Sequence, residues 1–170
     1  MAIGSPDLNG QICFAVDGEG IMIRDLHIAP FTVAHDAKEP LQLTVTDGEK
    51  RFGLLTDLGH ATPYAERQMQ NLDAVVLEFN HDEEMLRASK YPPFLKQRIA
   101  GGYGHLNNMQ AANFLRGISH QGLRHVVAAH LSEQNNSPDL VRSAIASCQE
   151  GFAYEVKIAD AESGFDWLQA

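Results

Sequence analysis

Four apolar segments of the sequence end in side chains that can bind metals or transfer protons. These side chains follow FTVA (His35, Asp36), FGLLT (Asp57), AVVLEF (Asn80, His81) and HVVAA (His130). Imidazole and carboxylate groups are the protein ligands of zinc, manganese and iron. A carboxylate shared between histidines also suits a hydrolytic centre that holds two metal ions. The repetition of this pattern at four segment ends therefore indicates a metal site.

Each of these residues taken singly also has an ordinary structural interpretation. A lone histidine after a strand most often makes structural hydrogen bonds, Asp36 would suit a turn, and Asp57 would accept backbone amides of the following loop. His105 lies apart from the four segments, in the glycine-rich stretch GGYGHLNN. The other four histidines show no such placement, and we interpret them as surface or structural: His27, His60, His120 and His125.

The elements that must position these groups alternate between strands and helices. The patterns predict strands over 11–17, 20–25, 26–36, 41–57 (a hairpin), 73–80, 123–130 and 152–159. Helices are predicted over 62–72, 82–90, 93–101, 107–122 and 137–150. The first two strands are expected to form a hairpin around Gly18 and Gly20. This alternation predicts an α/β fold, in which functional groups gather at the carboxyl ends of the strands.

Composition limits the classes of function. With 170 residues, 44% apolar and 21% charged, the chain suits one domain, which we place over 11–170 after a disordered lead, 1–10. The net charge of −9 argues against a broad electrostatic grip on nucleic acid, although a local basic patch would be compatible with it. No apolar run is long enough to span a membrane, and the N-terminus lacks the features of a signal peptide. Two cysteines outside any paired motif favour a reduced, cytoplasmic protein.

Several of these segments resemble one family, the metallo-β-lactamase-fold hydrolases. The blocks that carry the resemblance are FTVAHDAKEP, LLTDLG, DAVVLEFNHDEEML, YPPFLKQRIAGGYGHLNNMQAA and AAHLSEQNN, in this order. The subgroup they are most similar to is the YycJ/WalJ-like proteins, which are related to the RNase Z branch. The resemblance covers roughly residues 20–169. It implies an αββα sandwich with a metal site at one edge, of which this chain would form part.

The resemblance also implies roles for individual residues. His35 matches a ligand of the first metal, Asp57 matches the aspartate that bridges both metals, and His130 matches a ligand of the second metal. His105 resembles the RNase Z histidine that helps to protonate the leaving group. His81 is typical of the subgroup, and it joins Asp36 and Asn80 as an additional candidate site residue. The implied cofactor is a divalent metal, zinc first with manganese and iron as alternatives, and up to two ions in the complete fold.

One hallmark of the family, His-x-His-x-Asp-His, is absent from the sequence. The resemblance therefore implies that the chain corresponds to the C-terminal portion of such an enzyme, as a truncated gene, a fragment or a degenerate copy. The expected function is metal-dependent hydrolysis of a phosphodiester, with nucleic acid as the substrate class.

Two alternatives remain open. One is a non-catalytic remnant that binds a partner, forms a homodimer or docks with an N-terminal half of the fold. The other is an α/β domain whose polar strand ends only cap helices, in which case His35, Asp57 and His130 would lie too far apart to share an ion.

Overall fold

A single seven-stranded sheet organises residues 14–169, which are the residues that the computed structural model describes. The strands lie side by side in chain order: β1 (Ile21–Ile23), β2 (Leu26–Thr32), β3 (Leu41–Thr46), β4 (Arg51–Leu55), β5 (Ala74–Glu78), β6 (His125–Ala129) and β7 (Glu155–Ile158). Strands β1 to β4 pair antiparallel, whereas β4 to β7 pair parallel. The α/β fold class is confirmed, and the disordered lead expected over 1–10 lies outside the described residues.

Five helices connect or flank the later strands. They are α1 (Pro63–Gln68), α2 (Glu83–Ala88), α3 (Pro93–Ile99), α4 (Asn108–Ile118) and α5 (Pro138–Ala146). Polar side chains begin four of them: Thr62, Asp82, Asn107 and Ser137 each accept a backbone N–H of the first turn, at α1, α2, α4 and α5 respectively. These caps satisfy amides that have no partner inside the helix, so they fix the residue at which each helix begins.

The core lies on one face of the sheet. Leu55, Leu77 and Ala128 occupy neighbouring positions across β4, β5 and β6, and these three residues and Phe31 of β2 are fully buried. They pack in one cluster with apolar side chains of α1, α4 and α5, such as Leu115. The parallel strands β4, β5 and β6 are therefore anchored as a rigid platform, and their carboxyl ends open at the same edge.

The first hairpin differs from the prediction. Strand β1 pairs with β2 around Arg24 and Asp25, not around Gly18 and Gly20. Gly18 adopts a left-handed conformation in a turn, where its N–H donates to the carbonyl of Pro30 at 3.0 Å. Pro30 lies beyond the three-residue ladder with β1, so its lack of an N–H breaks no strand pairing there. The two glycines indicated a turn correctly, but residues 14–17 before it form no strand, and the rest of the strand predicted over 11–17 lies outside the described residues.

Among the helices of residues 14–169, none has the length and apolar character needed to cross a membrane.

Candidate metal centre

Five acidic or imidazole side chains gather at the carboxyl edge of the sheet. Asp57 follows β4, Glu78 is the last residue of β5 and His130 follows β6 directly. Strand β2 runs parallel to β4 across the intervening antiparallel β3, so His35, just past β2, reaches the same edge. His105 comes from the loop that enters α4. The topology thus brings together groups that are up to 95 residues apart, from His35 to His130.

One oxygen of Asp57 lies at the centre of this group. Its Oδ1 is 3.8 Å from Nε2 of His35, 3.8 Å from Nδ1 of His105 and 3.7 Å from Nε2 of His130. Ligand atoms of Asp57, His105 and His130 all lie within 4.8 Å of one another, which is the spacing of groups that can share one cation. His35 touches Asp57 but is not part of that most compact set. We call Asp57, Glu78, His105 and His130 the acid–histidine cluster.

Glu78 forms hydrogen bonds with two of the histidines from the buried side of the site. Its Oε1 lies 2.7 Å from Nδ1 of His105 and 2.7 Å from Nδ1 of His130. Its Oε2 accepts backbone N–H groups from Leu58 at 3.2 Å and Leu106 at 3.4 Å. The side chain is completely buried, and burial by itself raises the pKa of its carboxyl. The hydrogen bonds from the two histidines outweigh burial, so the pKa of Glu78 lies below its usual value.

Sequence reasoning missed Glu78. The signal was present: a carboxylate closes the strand AVVLE, whose five residues are all buried. Charged side chains are almost never fully buried unless they are paired. A glutamate at the end of a fully buried strand therefore predicts a partner group, and here the partners are the two imidazoles.

Hydrogen bonds orient the imidazole rings. Nδ1 of His130 is bonded to Glu78, which leaves Nε2 directed at Asp57 and raises the pKa of His130 against the opposing effect of burial. Nδ1 of His35 bonds to the carbonyl of Gly104 at 3.1 Å, and its Nε2 likewise faces Asp57. Histidine ligands of metals characteristically have their second nitrogen held this way. In His105, by contrast, the nitrogen nearest Asp57 is the one bonded to Glu78, so a ligand role would fall to Nε2.

The donor set and its supports match what a divalent cation requires. The half-buried carboxylate of Asp57 and imidazoles with free Nε2 atoms would supply the ligands, and a buried carboxylate and a carbonyl fix their orientation.

Two members of the cluster have unusual backbone conformations. Asp57 has φ of 54° and His130 has φ of 58°, both in the left-handed region. For residues with a Cβ this region costs about 1–2 kcal/mol. Such strain persists only where the surrounding contacts enforce it, and it concentrates at functional sites.

A glycine-rich loop closes one side of the site. Asp36 donates its N–H to the carbonyl of Tyr103, and Nδ1 of His60 contacts the carbonyl of Gly102 at 2.6 Å. Gly59 packs so closely that an added Cβ would lie 2.4 Å from atoms of Gly102 and Tyr103. The loop that carries His105 is therefore held against the loop that carries Asp57.

The three additional candidates do not join the compact set. Asp36 forms a two-pronged ion pair with Arg98 (2.5 and 3.3 Å), and this pair lowers its pKa, while its Oδ1 lies 3.6 Å from Nε2 of His35. His81 is almost completely buried, which lowers its pKa, and its Nδ1 lies 3.4 Å from the side chain of Asn80. Asn80 donates its side-chain N–H to the carbonyl of His130 at 3.1 Å. Asp36 and Asn80 therefore contact residues of the site, and His81 contacts Asn80.

The chain is similar in sequence to two bacterial proteins of known name. It is 31% identical over 164 residues to exodeoxyribonuclease YycJ of Bacillus anthracis, a match that covers 93% of this chain and 62% of that protein. It is 32% identical over 140 residues to exodeoxyribonuclease WalJ of Streptococcus pneumoniae, covering 80% of this chain and 52% of that protein. The chain thus spans between half and two thirds of the length of these relatives. No family model matches the sequence.

Solved structures share the fold. The metallo-β-lactamase fold protein YhfI of Bacillus subtilis superposes with a TM-score of 0.64 at 19% identity, over 90% of this chain and 54% of YhfI. Zinc-bound PqqB of Methylobacterium extorquens gives a TM-score of 0.54 at 19% identity, over 84% of this chain and 49% of PqqB. By sequence the chain is similar to the YycJ/WalJ-like proteins, and its fold is that of the metallo-β-lactamase-fold proteins.

Proposed function

We propose that this chain carries part of the active centre of a metal-dependent hydrolase that cleaves phosphodiester bonds in nucleic acid. The observation that carries the proposal is the convergence of Asp57, His105 and His130 within 4.8 Å, above a buried glutamate that orients both histidines. Purely structural hydrogen bonding would not require three titratable groups to face one another across a shared space. A cation beside Asp57 would neutralise its carboxylate and use the free Nε2 of His130.

The substrate class is inferred from the relatives, both of which are named exodeoxyribonucleases. The net charge of −9 disfavours a binding mode that depends on many phosphate contacts along a duplex. A chain end or a single strand that reaches the site at the sheet edge fits this charge better. Zinc is the first candidate for the metal because PqqB, which has the same fold, is zinc-bound, and manganese and iron are alternatives.

In this proposal the residues of the acid–histidine cluster have distinct tasks. Asp57 and His130 hold the cation, His35 adds a ligand from the side of β2, and the complete fold would accommodate up to two ions. A bound divalent cation would supply Lewis acidity toward a phosphoryl oxygen and would lower the pKa of a water molecule. His105 delivers a proton to the leaving oxygen, and its hydrogen bond with Glu78 keeps the imidazole ring in place.

Metal analysis and a phosphodiesterase assay, with and without added Zn²⁺ or Mn²⁺, test this function. We expect Asp57→Ala and His130→Ala each to abolish stoichiometric metal binding and activity. Asp25→Ala is the control, because Asp25 is an exposed residue in the turn between β1 and β2. Metal content and turnover that persist in both site variants would refute the proposal.

One observation supports a second candidate function. The sequence lacks His-x-His-x-Asp-His, the motif that supplies metal ligands in the family it resembles. A chain with only this part of the ligand set would suit a module that binds metal or a partner, including a second copy of itself, without turnover. Metal binding by the purified chain without hydrolysis of any phosphodiester would favour this candidate, and full turnover would eliminate it.

A further inference from the structure

Asn80 contacts both loops that carry histidines of the acid–histidine cluster. Its backbone N–H donates to the carbonyl of Leu106 at 3.2 Å, and its carbonyl accepts the N–H of Ser132 at 2.8 Å. Its side-chain Nδ2 donates to the carbonyl of His130 at 3.1 Å. Leu106 follows His105 directly, and Ser132 lies two residues beyond His130. One asparagine therefore links the two loops to each other and to the end of β5.

The contact with His130 falls where the chain departs from regular structure. The ladder between β5 and β6 ends at the pair Glu78 and Ala129, and His130 then turns into the left-handed region, with φ of 58°. Beyond that point the carbonyl of His130 has no strand partner in β5. The hydrogen bond from Asn80 fixes the peptide plane that follows His130. Because the side chain leaves from the same Cα, this bond also constrains where the imidazole points.

The segment that carries Asn80 is itself held rigidly. Nδ2 of Asn136 donates to the carbonyl of Phe79 at 2.8 Å and to Oδ1 of Asn108 at 2.9 Å. Nδ2 of Asn108 returns a hydrogen bond of 2.9 Å to Oδ1 of Asn136, and both side chains are buried. The backbone at Asn80 therefore cannot shift easily to replace a lost side-chain contact.

We propose that Asn80 is a positioning residue that holds His130 in its left-handed conformation and so aims its imidazole at the shared cation position. Asn80 acts through the backbone of His130, and its amide does not serve as a ligand. This inference rests on the metal site proposed above. It predicts that the donor Nδ2, and not merely the size of the side chain, is what the site requires.

Metal affinity distinguishes this role from a general contribution to folding. Asn80→Asp keeps the shape but places a carboxylate oxygen where the donor was, and Asn80→Ala removes the group. We expect both variants to bind Zn²⁺ or Mn²⁺ about 10–100-fold more weakly in competition titrations against a chromogenic chelator. Asn113→Asp makes the same charge change on an exposed position of α4 and should leave the affinity unchanged. If Asn80 were only structural, its variants would show a lower Tm, but the folded fraction would bind metal with wild-type affinity.

A measurement on the metal-free protein tests independently whether Asn80 sets the backbone conformation of His130. The ¹³Cα chemical shift of His130 reports its backbone conformation, and we expect it to move from the left-handed toward the extended range in Asn80→Ala and Asn80→Asp. An unchanged shift in both variants would overturn the role of Asn80, whatever the metal data show. If the wild-type chain bound no metal, the proposed function would fall, whereas this shift would still decide whether Asn80 positions His130.

Discussion

The buried carboxylate of Glu78 and the half-exposed imidazole of His130 form a hydrogen bond, with Oε1 of Glu78 2.7 Å from Nδ1 of His130. The same oxygen lies at the same distance from Nδ1 of His105. Glu78 is fully buried, and both histidines face Asp57 on their solvent side. One inaccessible carboxylate thus sets the orientation of two groups that reach the surface.

Replacing Glu78 by glutamine tests this support. An amide retains the shape of the side chain but loses the negative charge that accepts the hydrogen bonds of both imidazoles. We expect Glu78→Gln to weaken divalent-metal binding about 10–100-fold, measured by competition titration. Glu133→Gln is the matched control, since Glu133 is exposed in the loop after His130. Equal affinities for Glu78→Gln and the wild type would show that the glutamate does not support the site.

Stability of the metal-free protein should depend on pH in a defined window. The net lowering of the pKa of Glu78 means that its stabilising contribution is complete above the ordinary value of 4.5 and is lost as the pH falls through the folded-state pKa. The raised pKa of His130 means that its contribution is complete below 6.5 and is lost as the pH rises through the folded-state pKa. The stabilising contributions of Glu78 and His130 are therefore both complete between pH 4.5 and pH 6.5.

Urea unfolding in the presence of a chelator measures this effect. The free energy of unfolding of the wild type minus that of Glu78→Gln should be largest near the middle of that window and smaller in both acid and alkali. Taking the difference removes the titration of groups that the two proteins share. A difference that stays constant, or that grows above pH 8, would contradict the assignment of the pair.

Gly59 offers a test of how the loops are held together. A Cβ at this position would lie 2.4 Å from backbone atoms of Gly102 and Tyr103, so Gly59→Ala must displace the loop that carries His105. We expect a loss of about 1–3 kcal/mol in the free energy of unfolding, together with weaker metal binding.

Gly117→Ala is the control for that loss. An added Cβ meets nothing within 4 Å in α4, and alanine should stabilise the helix by about 0.5–1 kcal/mol. If Gly59→Ala behaved like Gly117→Ala, the close contact between the two loops would not exist in solution.

The residues at the strand ends were predictable from the sequence, but the contacts that hold these residues in place were not. Apolar runs that stop at Asp57 and His130 indicated both the strands and the edge at which these residues meet, because parallel strands end together. Nothing in the local pattern indicated that both residues adopt left-handed conformations, since contacts from other segments impose them. Glu78 was missed because β5 reads as a buried strand, and its partners are 27 and 52 residues away.

The role of His105 shows another limit of sequence. Resemblance suggests a proton donor, while the geometry places it within ligand distance of Asp57 and His130. Which nitrogen carries the proton follows from its contact with Glu78, and that contact depends on the tertiary fold.

Tyr103 gives a test of how a nucleic-acid substrate would be held. Its side chain is 65% exposed, two residues before His105, in the loop that closes the site. Stacking of a base on an exposed aromatic ring contributes about 1–3 kcal/mol. Tyr103→Ala should therefore raise KM about 5-fold to 150-fold for a single-stranded oligonucleotide, without changing the hydrolysis of a small chromogenic phosphodiester. Trp167→Ala, which removes an exposed ring near the start of β4 and β5, should change neither.

Anomalous diffraction from crystals soaked separately with Zn²⁺ and Mn²⁺ tests most directly whether Asp57 and His130 share a cation. We expect a peak at the sheet edge with a carboxylate oxygen of Asp57 and Nε2 of His130 about 2.0–2.2 Å away. His105 and His35 should lie around the same peak, with Nδ1 of His130 still bonded to Glu78. Crystals soaked with either ion that show no peak between Asp57 and His130, or peaks only elsewhere on the surface, would contradict this expectation.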